Sequence, residues 1–344
     1  MNQIIFLLET VLPSLVSTKN RINCMPQETL QIEDATKNKI AYPCNQTRKT
    51  PRAAILVCQS IEENIEDYND FCTYLAEENI AAYIYSHRNT IKTANNSLPG
   101  YSEKENNSTP IIQEVMKLRS LIAENHGNTP VLLFGYSLGT VIALSTLIKY
   151  PKKFSGIALW NLDLCFEKYN CLIMDSFLKI EKFFKGSDTP SRFMRYMTEN
   201  IWIRNNKNWK HLLGNLTLNI DSKDHIINNN YSLNTPISVW LELMSMATDI
   251  NAQGSFNTLS RSIPFCLVSG GNPLIKIEDH SQIYKLAERL HNEEFYDISL
   301  MTFPPIFPND PRNTTPPQAI KKLRNWIVKS YLPKVTPLIS QYQK

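Results

Sequence analysis

The sequence predicts an α/β protein in which a mostly parallel, doubly wound sheet carries an inserted helical cap. From about residue 28, short β-rich apolar runs alternate with amphipathic stretches, the order expected of parallel strands joined by crossover helices. The pentapeptide Gly-Tyr-Ser-Leu-Gly at 135–139 lies between one such run and a helical stretch. Between residues 166 and 258 the strand rhythm stops, and it then resumes, which indicates a helical insert.

The strands are predicted from their apolar runs. Residues 53–58 form a continuous run of the kind that a strand buried on both faces requires. The predicted strands in chain order are 30–32 and 39–42, paired through a turn, then 53–58, 81–85, 131–134, 157–160, 265–269 and 296–303.

Apolar residues at helical spacing predict the helices between these strands. Four helices are expected at 138–150, 239–250, 279–290 and 317–332, and a polar loop at 89–109. Three further helices are expected from their apolar faces. The faces expected to pack inward contain Tyr68, Phe71 and Leu75 in the first helix, Ile111, Val115, Leu118 and Ile122 in the second, and Ile173, Phe177, Ile180 and Phe184 in the helix 172–185 of the insert.

The length of 344 residues suits one large domain with an insert. We expect an N-terminal extension at 1–27, the first part of the core at 28–165, the helical cap at 166–258 and the second part of the core at 259–344. The apolar stretch at residues 4–8 is followed by Glu9 and has no basic residues before it. A short docking helix is therefore expected there, with a secretory signal as the alternative.

The charge balance excludes one class of partner. A formal net charge of +4, without a Lys/Arg run interleaved with aromatic residues, does not indicate a nucleic-acid-binding protein. A mildly basic surface indicates first a solvated basic face, and peripheral contact with anionic membranes is the alternative.

The seven cysteines form no CxxC pair, and Cys58 and Cys266 lie inside apolar runs. This pattern indicates core packing in a reducing compartment, without disulfides or a zinc site, and hence a cytoplasmic protein. We expect neither a cofactor nor a metal.

The motif at 135–139 carries chemistry for a steric reason. In Gly-x-Ser-x-Gly the serine occupies a tight strand-to-helix turn, and the glycines let neighbouring backbone approach it. The N–H groups at the start of the following helix then face any negative charge that forms at the serine. Here an apolar strand precedes the motif, and the helical run Thr140 to Leu144 follows it.

At these residues the chain resembles the monoacylglycerol lipase, lysophospholipase and serine-aminopeptidase-like branch of the α/β hydrolases. Residues 53–58 with the helix after them resemble the family's first central strand and helix, and Ser-His-Arg-Asn at 86–89 stands where the family has Asp-His-Arg-Gly. Residues 134–140 match the nucleophile elbow, and 268–273 match the loop that delivers the acid. The resemblance spans about residues 28 to 332 and implies an α/β-hydrolase fold with a helical cap.

The resemblance also implies a set of site residues. Ser137 is the nucleophile, and the backbone N–H groups of Leu138 and Ser60 are the expected oxyanion hole. In this fold the acid follows the serine and the histidine follows the acid. Asn272 occupies the place of the acid, and Phe307 lies approximately in the place of the histidine, in a stretch (304–312) that contains none.

The six histidines of the chain are poor replacements for the missing base. His126 and His291 precede strands, which puts them at the opposite end of the sheet from Ser137. His280 begins a helix just past the acid loop and is the nearest candidate. The other histidines are His87 in a structural turn and His211 and His225 in the cap. Two carboxylates are also candidates: Asp163 is a relocated acid or a turn residue, and Asp310 would be a feeble base.

Two functions follow from this pattern. In the first, the protein is a lysophospholipase- or monoacylglycerol-lipase-like ester hydrolase whose activity is weak or lost, and the cap covers the acyl chain of a small lipid ester. In the second, it is a non-catalytic pseudohydrolase that binds a lipid or a protein partner through the same cap and the pocket that we expect beneath it, facing Ser137. The intact elbow favours the first, and the missing acid and base favour the second.

Overall fold

The fold is built on one seven-stranded sheet. The computed structural model describes residues 41–43, 50–60, 68–85, 109–162, 168–194, 196, 235–270, 281–303 and 316–336. The strand order across the sheet is β1-β3-β2-β4-β5-β6-β7. The strands are β1 (Ala41–Pro43), β2 (Ala53–Cys58), β3 (Ile80–Tyr85), β4 (Val131–Tyr136), β5 (Gly156–Trp160), β6 (Phe265–Gly270) and β7 (Ile298–Phe303).

Six of these strands run parallel, which confirms the predicted fold class. The edge strand β1 is antiparallel and pairs with β3, with Tyr42 opposite Ile84. The predicted partner strand at 30–32 and residues 89–108 of the loop predicted at 89–109 lie outside the described residues. The parallel order brings the carboxyl ends of β4, β5, β6 and β7 to one edge of the sheet, where the site is described below.

Helices cover both faces of the sheet, and the alternation within β2 reflects this. Ala54, Leu56 and Cys58 belong to the hydrophobic cluster under one helix layer, while Ala53, Ile55 and Val57 belong to the cluster under the other. The helices are α1 (Asn69–Glu77), α2 (Pro110–His126), α3 (Gly139–Lys149), α4 (Lys168–Lys185), α5 (Ile237–Asn251), α6 (Ser281–Asn292), α7 (Pro316–Trp326) and α8 (Leu332–Val335), with a π-helical turn at Ile327–Tyr331 between the last two.

The inward faces predicted for the first two helices are confirmed. Every residue predicted for the α1 face and for the α2 face is buried. Helix α1 packs with α7 on one side of the sheet, and α2, α3, α5 and α6 pack on the other. Helix α5 lies against α3 and shares its hydrophobic cluster, so this part of the 166–258 region packs on the helix layer that follows Ser137.

The inward face predicted for α4 is wrong. Ile173, Phe177, Ile180 and Phe184 are between 50% and 77% exposed. The helix instead buries Cys171, Leu178 and Glu181. The physical reason is that the helix also has an apolar side at Cys171 and Leu178. Hydrogen bonds to the neighbouring Glu181 carboxylate hold that side inward.

The cysteines depart from the expectation in one place. Cys58 and Cys266 are free and buried in strands, as predicted. Cys72 on α1 is buried and disulfide-bonded, and its partner lies outside the described residues. The expectation that the chain contains no disulfide is therefore wrong. None of the helices in the described part of the chain is long and apolar enough to cross a membrane.

Candidate active site

Ser137 lies in the turn between β4 and α3, with a backbone φ of 49°. Its N–H donates to the Trp160 carbonyl at 2.9 Å, which adds one bond to the ladder between β4 and β5. Its own carbonyl accepts from the Thr140 N–H at 3.0 Å and from the Thr140 hydroxyl at 2.5 Å, so it also begins the helix. A non-glycine residue in this left-handed region is strained, and the bonds on both sides hold it there.

The two glycines of the motif are required by close backbone contacts. A Cβ on Gly135 would lie 2.6 Å from the Cα of Thr140. A Cβ on Gly139 would lie 1.9 Å from the carbonyl oxygen of Cys58 and 2.8 Å from that of Gln59. The start of α3 is therefore pressed against the carboxyl end of β2 at a distance that only glycine permits.

This contact brings the residues proposed for the oxyanion hole into one region. Ser60 follows β2 and is buried, and Leu138 opens α3 with φ −58° and ψ −28°. The first N–H groups of a helix lie outside its own hydrogen-bond ladder and carry the positive end of its dipole. Such groups are suited to stabilise an anion that forms at the Ser137 side chain.

The acid and base positions fall outside the described residues. This holds for Asn272 and Phe307, and equally for the other candidates His87, Asp163, His211, His225, His280 and Asp310. The segments that carry Asn272 and Phe307 nevertheless leave the sheet at the predicted edge. Strand β6 ends at Gly270 and β7 at Phe303, and these two residues are register partners.

The two described histidines lie at the other edge. His126 is in the last turn of α2, before the amino end of β4, and its Nε2 lies 2.8 Å from the Tyr83 hydroxyl. Burial lowers the pKa of His126. His291 is in the last turn of α6, before the amino end of β7. Neither is placed to accept a proton from Ser137, as the sequence predicts.

Asn161 is a residue that sequence reasoning missed. It follows β5 with φ 51°, is buried, and donates its N–H to the Val268 carbonyl at 2.9 Å. Its side chain bonds both backbone groups of Gly270, and the Trp160 indole N–H donates to the same Gly270 carbonyl at 3.0 Å. The available signal was an asparagine directly after a predicted strand, since asparagine tolerates a left-handed turn.

Gly270 in turn requires its lack of a side chain. It has φ 102°, and a Cβ there would lie 1.8 Å from the Phe303 carbonyl oxygen. The ends of β5, β6 and β7 are thus locked together by Asn161, Gly270 and Phe303. This arrangement sets the point from which the segments carrying Asn272 and Phe307 depart.

Aromatic side chains line the same edge on the α1 and α7 side. The rings of Tyr136 and Trp160 meet edge to face at 5.9 Å, and Trp160 stacks with Phe303 at 6.1 Å. The Lys322 ammonium lies 5.1 Å above the Phe303 ring. All three rings are partly buried and pack against the hydrophobic cluster between the sheet and helices α1 and α7. The carboxyl edge beside Ser137 is therefore apolar on this side.

A cavity of about 540 Å3 lies at the amino edge of the sheet, away from Ser137. Its lining includes Ser155 before β5, Pro264 before β6 and Asp297 before β7. The prediction that Ser137 faces a pocket beneath the cap involves segments outside the described ranges and stays a prediction. Within those ranges no cluster of three His, Cys, Asp or Glu side chains is arranged to hold a metal ion.

Comparison with known proteins agrees with this architecture. The family model described as serine aminopeptidase, S33 (Hydrolase_4), matches residues 49–297. No curated protein sequence matches the chain.

Among solved structures, the chain is similar to a thermostable carboxyl esterase from Bacillus coagulans in complex with glycerol (16% identity, TM-score 0.65, covering 90% of this chain and 99% of that one). It is also similar to a lipase in an open form (15%, 0.67, covering 90% and 99%). A third is a soluble variant of monoglyceride lipase from Saccharomyces cerevisiae with a substrate analog (13%, 0.55, covering 93% and 98%). At these identities the likeness shows the fold alone.

Proposed function

Because the chain belongs to the serine aminopeptidase S33 (Hydrolase_4) family of α/β hydrolases, we propose that it binds a small lipid ester beside Ser137 and hydrolyses it slowly or not at all. The observation that carries the proposal is the geometry of the turn. Ser137 has the left-handed backbone of a nucleophile at a strand-to-helix turn, and both flanking glycines are sterically required.

The preserved turn supports hydrolase ancestry with an oxyanion hole. A side chain on Gly139 would separate the start of α3 from the end of β2, and with them the N–H of Leu138 from that of Ser60. An ester carbonyl placed against Ser137 would direct its oxygen toward these N–H groups. Their stabilisation of a tetrahedral intermediate uses main chain only, so it does not depend on the side chain at position 60.

The residues at the acid and base positions argue that turnover is slow or absent. A serine hydroxyl is a weak nucleophile at neutral pH unless a base takes its proton, and Phe307 cannot do so. Asn272 can accept a hydrogen bond but cannot stabilise an imidazolium by charge. Removal of one triad member leaves roughly 10³–10⁴-fold catalysis over water, which comes from the oxyanion hole and binding alone.

An apolar ligand is supported by the surroundings of Ser137. The partly buried rings of Tyr136, Trp160 and Phe303 make this side of the carboxyl edge apolar. A fatty-acyl chain of a lysophospholipid or monoacylglycerol matches such a surface better than a charged peptide would. The alternative function, a non-catalytic lipid- or protein-binding pseudohydrolase, is favoured by the absence of histidine from 304–312.

The test measures activation of Ser137 and ligand binding separately. We expect the purified protein to hydrolyse short p-nitrophenyl esters barely above background and to resist labelling by a fluorophosphonate, which requires an activated serine. We expect a fluorescent fatty acid to bind the wild type and Ser137→Ala alike. Stoichiometric labelling that Ser137→Ala abolishes would contradict the loss of catalysis and make His280 the first residue to replace.

A gain-of-function variant tests whether the rest of the machinery is in place. Asn272→Asp combined with Phe307→His restores the family pattern at both positions. Esterase activity in the double variant, lost again on adding Ser137→Ala, supports the proposed oxyanion hole. Each single substitution is the matched control, since acid and base act as a unit.

A further inference from the structure

Strand β7 is an open edge of the sheet. It is the last strand in the order across the sheet, with β6 on its inner side and no described strand on its outer side. Within the described part of the chain, its backbone groups bond only to β6. The outer side of β7 therefore offers a row of N–H and C=O groups to another strand.

The opposite edge of the sheet is protected, whereas β7 is not. Strand β1 has three residues and ends at Pro43, which has no N–H to donate. Strand β7 has six residues, Ile-Ser-Leu-Met-Thr-Phe, without a charged side chain or a proline, and its register with β6 is continuous, without a bulge. Charges, prolines and bulges are the devices that keep edge strands from pairing, so β7 favours a further strand beside it.

Exposed apolar side chains lie in the same part of the fold. Outside 168–196, the described chain exposes three large apolar side chains, and all three belong to 281–303: Tyr284 on α6, Tyr296 just before β7 and Leu300 within β7. Leu300 is 42% exposed. Because side chains alternate along a strand, Leu300 lies on the same face as Ile298, which packs against the hydrophobic cluster on the α6 side of the sheet. The strand and the helix layer on that side thus both expose apolar surface.

The segment that follows β7 is not suited to pair with it. Residues 304–315 lead from β7 to α7 and contain four prolines. Proline has no N–H to donate to a ladder. The segment that precedes β1 enters the sheet at the opposite edge.

A strand directly after α8 is disfavoured by the handedness of its connection. Lys334 in α8 bonds the Asp297 carboxylate at 2.6 Å, so such a strand would start beside the amino end of β7 and run parallel to it. The connection from β7 would pass through α7, on the α1 side of the sheet, whereas the connection from β6 to β7 moves in the same direction but passes through α6, on the other side. The two crossovers would have opposite hands, and about 98% of crossovers between parallel strands are right-handed. A partner strand from another molecule is therefore favoured.

We propose that the partner is a second copy of this chain, whose β7 pairs antiparallel with this one about a two-fold axis at Leu300. A two-fold interface uses the same surface on both subunits, so the open edge of each copy supplies the strand that the other lacks. Leu300 lies opposite its own copy, with Ile298 opposite Thr302 and Ser299 opposite Met301. Since β7 has no charged side chain, no like charges meet along the pair.

The exposed side chains on the α6 side decide between a second copy and an extended peptide of a different protein. A peptide would satisfy the same backbone groups but would add no layer over the sheet. A two-fold axis perpendicular to the sheet places the α6 helices of both copies on the same face, so a second apolar layer lies beside Tyr284 and Leu300. The proposal rests on β7 and α6 and is independent of the function of Ser137.

Light scattering of the full chain over a concentration series tests the proposal. We expect a dimer at micromolar concentrations. Leu300→Lys places two like charges opposite each other at the axis and should raise the dimer dissociation constant about tenfold or more, as should Leu300→Glu. A mixture of the two variants should dimerise again, because Lys then faces Glu. Unaltered thermal unfolding shows that each variant is folded.

A cysteine cross-link tests the register and stays decisive if the charged variants do not fold. Directly opposite Cα atoms of an antiparallel pair are roughly 4.5–5.5 Å apart, within the reach of a disulfide. Mild oxidation of Leu300→Cys should therefore give a covalent dimer that the wild type does not give. Thr302→Cys is the register control: its side chain is also exposed, but it faces Ile298 of the second copy and should not cross-link.

The matched control for the charged variants is Phe183→Lys, which makes a similar change at a side chain on α4 that is 84% exposed and should leave the dimer intact. A wild type that is monomeric at every concentration overturns the proposal. A dimer that Phe183→Lys dissociates and Leu300→Lys does not also overturns it, and places the interface on α4. A dimer in which Thr302→Cys cross-links and Leu300→Cys does not overturns the axis at Leu300.

Discussion

Asn161 forms hydrogen bonds to both backbone groups of Gly270, which lies 109 residues later in the chain. Its Oδ1 accepts from the Gly270 N–H at 2.9 Å, and its Nδ2 donates to the Gly270 carbonyl at 3.2 Å. The pair joins the last residue of β6 to the turn after β5, at the edge where Ser137 lies. It gives both backbone groups of Gly270 a side-chain partner just past the last residue pair of β5 and β6.

Removal of this amide should destabilise the fold. We expect Asn161→Gly to lower the free energy of unfolding by about 2 kcal/mol, because the buried Gly270 N–H loses its Asn161 acceptor and the Gly270 carbonyl keeps only the Trp160 indole N–H. Asn161→Ala should cost about 1–2 kcal/mol more, since its φ of 51° disfavours a Cβ that lacks a polar group. Urea unfolding measures both. Asn79→Gly is the control: Asn79 has φ 55° and one solvent-exposed side-chain bond, so its loss should cost little. Equal costs at positions 79 and 161 would contradict the role of Asn161.

The contact between Gly139 and Cys58 leads to a second prediction. Gly139→Ala places a methyl group 1.9 Å from a backbone oxygen, and neither helix nor central strand can move aside without losing other bonds. We expect a loss of about 3 kcal/mol or more in the free energy of unfolding. Gly186→Ala is the control, because it adds only the strain of φ 85° with nothing within 4 Å. If the two variants lose equal stability, the close approach of α3 to β2 is not as described.

The buried Glu181 makes acid stability depend on α4. Burial alone would raise the pKa of Glu181, but its bonds from Lys185, Ser191 and two backbone N–H groups lower it overall. A carboxyl group with a lowered pKa in the folded state stabilises the protein above its unfolded value of about 4.3. That contribution is lost as the pH falls through the lower, folded value.

We therefore expect the free energy of unfolding of the wild type to fall from about pH 5 downward. That of Glu181→Gln should fall less over the same range. At neutral pH Glu181→Gln should be the less stable protein. Asp175→Asn removes a surface ion pair with Lys179 on the same helix and should change stability by less than about 0.5 kcal/mol. A pH profile of Glu181→Gln parallel to that of the wild type would refute this assignment.

The cysteines should fall into two chemical classes. Burial raises the pKa of both Cys58 and Cys266, so neither should react with iodoacetamide at pH 8 in the folded protein. Cys72 should be alkylated only after reduction and unfolding. Peptide mapping by mass spectrometry, with and without reductant, distinguishes these states. Alkylation of Cys72 in unfolded but unreduced protein would show that it carries a free thiol.

Much of the fold was predictable from local patterns. The six-residue apolar run at β2 and the helical spacing of α1 and α2 each specify one element without reference to the rest of the chain. Parallel order followed from the alternation of these elements, since parallel strands need crossover helices. The turn at Ser137 was predictable from its local motif, in which Gly135 is required by Thr140 five residues later, whereas the contact of Gly139 with Cys58 in β2 is long-range.

The pair of hydrogen bonds between Asn161 and Gly270 was not predictable in this way. Asn161 and Gly270 are adjacent only because β5 and β6 pair, and nothing in the 104 residues between β5 and β6 indicates the register of that pairing. The sequence marks Asn161 as tolerant of a left-handed turn but does not name its partner. Sequence reasoning considered only Asp163 near the end of β5, as a relocated acid or a turn residue, and made no prediction for Asn161.

By itself the sequence determined the order of strands and helices, the position of Ser137 and the absence of a histidine from 304–312. These features depend on residue type and on spacing within a few residues. Only the tertiary structure decided which side of α4 is buried, because apolar residues occupy two sides of that helix and spacing cannot choose between them. The choice comes from Glu181, whose carboxylate is held by Lys185, Ser191 and the backbone at Arg192. Turning α4 to bury its phenylalanines would break these charge-assisted hydrogen bonds.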